Sequence, residues 1–318
     1  MFSLDAATAG KRGYREIFQS GEAVDGRPNV DHQHPHDLFM QLSAGWRLAL
    51  SDTTIVTVVG APVGEPALGP VAFMHRASAA AIPFAPLSHH MFDSTHISFG
   101  VVTAGVSRGR WTAEGSIFNG REPDQDRWDF DLAPLDSISG RLWFRPTEEW
   151  AIQVSSGRLV HPEELEQGNI VRTTASASWL RATSDAVSAL TFGYGRNDKE
   201  GRQATFGEYT RQRGANTLSS RLEVMQIEND LLTDGVSAGS TAHSGALDVL
   251  GALTLGGIRR LGQWHALEGG LGANLSLYAV PASLQATHGN HPVSFQLFIQ
   301  LRPHSGGMGS MWNMHMGQ

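Results

Sequence analysis

From residue 38 to residue 50 the even positions read Leu38, Met40, Leu42, Ala44, Trp46, Leu48 and Leu50, with Gln41, Ser43, Gly45 and Arg47 between them. Such alternation puts one class of side chain on each face of an extended chain. A run of about 13 residues is long for a soluble strand of ~5–6 and suits a tilted strand crossing a bilayer, which needs ~9–11. The pattern returns along the chain. Trp111, Ala113, Gly115 and Ile117 alternate with Thr112, Glu114 and Ser116; Ile138, Gly140, Leu142 and Phe144 alternate with Ser137, Ser139, Arg141 and Trp143. Val171, Thr173, Ala175, Ala177 and Trp179 repeat it, as do Val293, Phe295, Leu297, Ile299 and Leu301 near the end. No helical periodicity extends beyond about three turns.

Thirteen strands are predicted: 37–50, 54–60, 96–107, 110–119, 136–145, 150–160, 170–181, 186–196, 203–212, 217–229, 246–258, 264–278 and 292–302. The gaps between them alternate. Short turns fall at 51–53, 109, 146–149, 182–185, 213–216 and 259–263; long loops fall at 61–95, 120–135, 161–169, 197–202, 230–245 and 279–291. Short turns at one end and long loops at the other are the arrangement of outer-membrane barrels, whose single-chain bacterial forms have an even strand number. Residues 1–5, followed by the long segment 6–36, read as the tail of one more strand. The expected fold is therefore all-β: a single antiparallel transmembrane β-barrel of about 14 strands, the first truncated, with long extracellular loops and short periplasmic turns. The barrel takes residues 1–302 and leaves a Met/His-rich periplasmic tail at 303–318. A soluble all-β protein is the alternative.

Composition narrows the class. Hydrophobic residues make up 41% of the 318, dispersed one in two, and the longest nearly unbroken apolar run, 55–63, is far short of the ~18 residues of a membrane helix. The absence of cysteine removes disulfides, thiolate zinc sites and thiol nucleophiles. A net charge of −7 argues against nucleic acid as a partner. Residues 1–14 lack the apolar core of a signal peptide, which for a barrel reads as a true N-terminus lying upstream. The location that follows is the outer membrane of a Gram-negative bacterium.

On a barrel strand the polar face lines the lumen. That set includes Arg47, Glu114, Arg141, Arg172, Arg221, Glu223, Glu268, Asn274, Gln296, Gln300 and Arg302, in which opposite charges pair across strands in a wet interior. Of the 24 basic residues only Lys11 and Lys199 are lysine, and arginine makes the better-defined ion pairs. Trp46, Trp111, Trp150, Trp179 and Trp264 stand in or at the ends of strands, where an aromatic girdle sits; ordinary strand packing is the alternative.

Seven of the fourteen histidines fall between positions 32 and 96. His32, His34 and His36 alternate in an extended stretch around Pro35, which sets neighbours on one face ~6.5–7 Å apart. His89, His90 and His96 precede another strand at the same rim, with Asp93 among them. Imidazole with carboxylate suits zinc, copper or nickel ions; the alternative is a polar rim whose histidines hydrogen-bond within ordered loops. In the tail, Met308, Met311, Met314, His315 and Met316 offer a soft set for Cu(I), or simply a disordered end. The acidic loop 120–135, with Glu122, Asp124, Asp126, Asp129 and Asp131, lacks an EF-hand's glycine and closing glutamate and reads as a solvated lip. Asp93, Ser94 and His96 hold the elements of a hydrolytic triad but are too close in sequence to take its positions. No catalytic residue is assigned, and an enzyme is not expected.

Lys11-Arg12-Gly13-Tyr14, residues 31–39 (DHQHPHDLF), 64–76 (GEPALGPVAFMHR), 90–100, 120–129 (GREPDQDRWD) and 290–303 together resemble an uncharacterised family of bacterial outer-membrane β-barrel proteins, loosely associated with metal resistance. The resemblance spans essentially the whole chain. It implies a barrel exported through the Sec route and supplies no substrate and no catalytic residues; contact with lipid and lipopolysaccharide, insertion by the barrel-assembly machinery and a monomeric state are expected of the barrel itself. Against that family the chain lacks a leader and part of one strand. The expected function is binding or passage of small solutes, metal ions among them. A metal-binding surface protein that transports nothing is the second reading, and an outer-membrane hydrolase the third.

Overall fold

The computed structural model describes residues 1–19, 23–165, 168–232, 247–265 and 267–303. Thirteen long strands form one antiparallel sheet in which each pairs with its neighbours in sequence. They are β1 Leu42–Ser51, β2 Thr54–Gly64, β3 Ser98–Arg108, β4 Trp111–Phe118, β5 Ser137–Phe144, β6 Trp150–Leu159 and β7 Ile170–Ala182. β8 Ala186–Asn197, β9 Gln203–Arg213, β10 Asn216–Glu228, β11 Leu247–Trp264, β12 Leu267–Ala279 and β13 Val293–Pro303 complete it. All thirteen predicted strands are present, and the short and long connections alternate as the sequence implied.

The sheet is inside-out relative to a soluble sandwich. Outward positions of β13 are apolar and open: Phe295 76%, Leu297 72%, Ile299 76% and Leu301 67% exposed. Inward positions are polar and covered, as along β7, where Arg172, Thr174, Ser176 and Ser178 are buried. An apolar outer face over a polar inner one is the pattern of a barrel wall in lipid. Four tryptophans mark the short-turn end: Trp150 pairs directly with Trp179 across β6 and β7, Trp111 stacks on Phe144 at 4.3 Å, and Trp264 closes β11. Trp46 instead lies in mid-strand on β1.

Three expectations are corrected. Residues 1–5 are not the tail of a strand: Phe2 makes an isolated bridge to Phe39 and Asp5–Ala9 forms a short helix. Among the described residues the sheet therefore has thirteen strands and two edges, β1 and β13. The turn read at 259–263 lies further on. β11 runs to Trp264 because a register shift between Arg260 and Gly262 reverses the alternation, and His265 takes the turn at φ 51°. Finally, the interior is not wet throughout. Phe18, Leu87, Met91 and Phe92 from inside pack on Phe206, Met225, Leu250 and Tyr278 of the wall.

That packing comes from two inserted segments. Residues 65–97, between β2 and β3, are almost entirely buried against the inner face, and the described stretches 14–19 and 23–33 lie beside them, in contact through Phe18 and through Gln19, whose side-chain amide donates to the carbonyls of Ala85 and Pro86. We call residues 65–97 the plug. Two glycines permit its fit: Gly69, at φ 82°, would set a Cβ 2.2 Å from the Phe92 carbonyl oxygen, and a Cβ at Gly195 on β8 would stand 2.4 Å from that of Met91.

Candidate functional site

The inner wall holds the plug through the charged residues that alternation assigned to the lumen. Arg141 on β5 pairs with Glu114 on β4 at 2.9 Å and donates to the Gly69 carbonyl at 3.2 Å. Arg172, wholly buried on β7, donates to Ser94 Oγ at 2.9 Å. Arg221 on β10 reaches Glu208 at 2.8 Å and the Phe84 carbonyl at 2.9 Å, and Glu223 accepts from both the amide and the hydroxyl of Ser88. Glu268 is bound by Arg302 and Arg260 near the short-turn end. Gln296 and Gln300 are half-buried on β13, and Arg47, register partner of Thr57, stays exposed because β1 is an edge.

Sequence reasoning missed the centre of this network. Arg76 sits in the 64–76 motif, but nothing in the alternation says that its guanidinium bridges Glu208 on β9 (2.9 and 3.1 Å) to Asp93 in the plug (2.9 Å). All three are buried. Burial alone would raise the Asp93 carboxyl; Arg76 and His89 instead hold it below the usual carboxylate range.

Asp93 in turn organises the histidines. His89 Nδ1 lies 3.1 Å from Asp93 Oδ1, His96 Nδ1 lies 2.7 Å from the Asp93 carbonyl oxygen, and His36 Nδ1 lies 2.7 Å from Asp5 Oδ2. Each of those oxygens can only accept while the carboxylates are ionised, so each Nδ1 carries the hydrogen and a neutral ring keeps its lone pair on Nε2. Holding one imidazole nitrogen on a carboxylate or carbonyl is how metal-ligating histidines are oriented. Nε2 of both His36 and His96 is buried without a hydrogen-bond partner. Ring centroids are 5.5 Å apart for His36 and His96 and 5.2 Å for His89 and His96. Burial pushes His89 down, against Asp93, and pushes His96 well down, reinforced by His89 and His36; both therefore favour the neutral form that binds metal.

No protein-family model and no curated protein matches the sequence. Solved structures similar to it include the outer-membrane expressed OmpT of Vibrio cholerae, at 8% identity over 75% of this chain and 77% of that one, with a TM-score of 0.41. A bacterial polysaccharide outer membrane secretin matches at 12% over 89% and 82%, TM-score 0.40. OccAB4 of Acinetobacter baumannii matches at 8% over 86% and 68%, TM-score 0.37. These are loose likenesses, and the functional reading rests on this chain's own residues.

Of the six rim histidines, the structure gathers five. His34 lies 6.0 Å from His36 and 6.4 Å from His89, and His90 lies 5.1 Å from His89, ring centre to ring centre. His32 stands apart: it pairs with Arg15 in a two-residue ladder, with Nδ1 on the Val30 carbonyl. The rim is a buried cluster at the long-loop end rather than an exposed lip, because the plug carries His89, His90 and His96 inward. Asp93, Ser94 and His96 do not assemble a triad: Ser94 Oγ faces Arg172, and His96 is turned to the backbone of Asp93. Met311, Met314, His315 and Met316 lie outside the described residues.

Proposed function

We propose that this chain is a bacterial outer-membrane β-barrel whose plugged lumen binds small solutes, and that the ligand its mouth fits best is a first-row metal ion, zinc or copper. The observation that carries the reading is the set His36, His89 and His96. Each has Nδ1 committed to an oxygen acceptor, and the His96 ring stands 5.2 Å from its near neighbour in sequence, His89, and 5.5 Å from the sequence-distant His36; the rings turn to bring their free nitrogens onto one ion. Imidazoles sharing one tetrahedral ion at ~2.0–2.1 Å have centroids roughly 5 Å apart. The apolar outer face, the short turns opposite long loops and the tryptophans at one end support the outer-membrane location, and with it contact with lipid and lipopolysaccharide and insertion by the barrel-assembly machinery.

Between passage and binding, the plug favours binding. Arg76, Glu208, Arg221 and Glu223 tie it to the wall by buried, charge-assisted hydrogen bonds, which fix it against the inner face. Zinc and copper titration of the folded protein tests the reading. The wild type should bind one ion that His36→Ala and His96→Ala each weaken at least tenfold; equal affinity in all three would overturn it. Planar-bilayer recordings separate the two modes, since a non-transporting metal-binding protein stays closed at every voltage.

A further inference from the structure

Beside the imidazole cluster, three other ligating side chains converge from three separate segments. His90 comes from the plug, Glu122 from the loop between β4 and β5, and Glu163 from the loop between β6 and β7. His90 Nδ1 is 3.1 Å from Glu122 Oε1 and 3.2 Å from Glu163 Oε1, and the three ligand atoms all lie within 4.8 Å of one another. Ligands around one tetrahedral ion with ~2.0–2.2 Å bonds stand about 3.4 Å apart, so little movement is needed to close around a cation. The side chains are 17%, 11% and 6% exposed.

Two further observations point to a ligand. Glu163 is more than nine-tenths buried, and its Oε2 has no hydrogen-bond partner; an ionised oxygen in that state is costly unless something else meets it. A cavity of about 30 Å³ opens against His90 and Glu163, room for roughly two water molecules at ~10–15 Å³ each, which are the ligands an open metal site recruits. Backbone contacts already fix the frame: the Glu122 amide donates to the Pro162 carbonyl at 2.9 Å, and Asn197 Nδ2 donates to the His90 carbonyl at 3.3 Å. Arg172 and Arg202 stand close enough to offset part of the carboxylates' charge.

We propose that His90, Glu122 and Glu163 form a second metal site, for a divalent ion that accepts one imidazole and two carboxylates, such as Zn²⁺, Mn²⁺ or Fe²⁺. Its bonds clasp the plug to two extracellular loops. The donor set is harder than the imidazole cluster, so the two sites differ in selectivity. This site uses none of His36, His89 and His96 and stands or falls independently of them.

The test is Co²⁺ binding to the full chain folded in detergent, read by its visible absorption and by equilibrium dialysis, with Mn²⁺ spin resonance as a second probe. Glu163→Gln and Glu122→Gln should each remove one bound ion or weaken it by about 100-fold, above the ~10–100-fold that outer-shell changes cost. His96→Ala should leave that ion in place. Glu163→Asp, which keeps the charge, should recover part of the affinity, and heat-modified gel mobility verifies that each variant is folded. Folded glutamine variants that bind as many ions as the wild type, equally tightly, would overturn the proposal whether or not the imidazole cluster binds. So would loss of this ion in His96→Ala.

Discussion

Arg76 in the plug and Glu208 on the barrel wall form a two-point ion pair, Nε to Oε2 at 2.9 Å and Nη2 to Oε1 at 3.1 Å, with both side chains at or below 1% exposure. A buried pair of this kind is costly to break from one side, by ~3–5 kcal/mol, because the surviving charge is left uncompensated. Arg76→Leu should therefore release the plug and raise single-channel current across planar bilayers. The double variant Arg76→Leu with Glu208→Leu should recover much of the stability, read as the temperature of the gel-mobility shift. A single variant as stable and as closed as the wild type would refute the pair's role.

The histidines should separate into two groups on titration with zinc. His89→Ala, His96→Ala and Asp93→Asn should each weaken binding at least tenfold, the last because an amide whose one oxygen serves Arg76 and the Phe73 amide turns a donor NH2 toward His89. His32→Ala should leave the affinity within about twofold, since its ring stands on the Val30 carbonyl away from the cluster. Isothermal titration of the detergent-solubilised protein distinguishes the two groups.

The inner segment Tyr14 to Gln33 should loosen as the pH rises. The Glu16 carboxyl is pushed up from 4.5 to about 8 by burial, with Glu223 adding to the shift and Arg221 opposing it. A carboxyl raised in the folded state holds its proton more tightly there than in the unfolded chain, so stability is fully present below pH ~4.5 and falls progressively toward pH 8. Hydrogen-exchange protection factors of this segment, which are corrected for the base-catalysed intrinsic rate, should fall over that window in the wild type and stay flat in Glu16→Gln. Equal slopes would dismiss Glu16 as the cause.

Gly195→Ala should disturb the plug without disturbing the wall. Its added Cβ would stand 2.4 Å from the Met91 carbonyl oxygen, a backbone atom of the turn that carries His89 and His90. Overpacking of this kind costs ~1–3 kcal/mol. The expected result is a folded barrel, with unchanged far-ultraviolet circular dichroism, that binds zinc several-fold more weakly.

Opposite faces of β13 should respond oppositely to charge. Leu297 is 72% exposed on the outer face, where an arginine at the bilayer midplane costs ~2–4 kcal/mol. Gln296 faces inward beside Asn274. Leu297→Arg should lower unfolding free energy in lipid vesicles by about that amount, and Gln296→Arg should change it by less than ~1 kcal/mol.

The wall was legible because its signal is local: strict alternation of side chains along each strand locates Val293 to Pro303 as readily as Trp111 to Phe118. Where a bulge reversed that alternation, at Arg260 to Gly262, the strand end was misread by several residues. The N-terminal residues misled for another reason, since parity counting asked for a strand where Asp5–Ala9 is helical. In the site, the histidines announced themselves by spacing, but their geometry depends on Asp5 and Asp93, and a carboxylate's partner leaves no trace in a single sequence. Glu163 gave no signal of its own; it matters only because it and Glu122, 41 residues apart in the chain, meet at His90.

The plug lies between β2 and β3 in the chain, yet its anchors come much later: Glu208 is 132 residues beyond Arg76, and Glu223 is 135 beyond Ser88. The wall, by contrast, grows by pairing consecutive strands. The plug's anchors are therefore long-range contacts: Arg76 and Ser88 meet their partners only once β9 and β10 stand against them. A nascent chain should bind metal weakly until its wall is nearly complete.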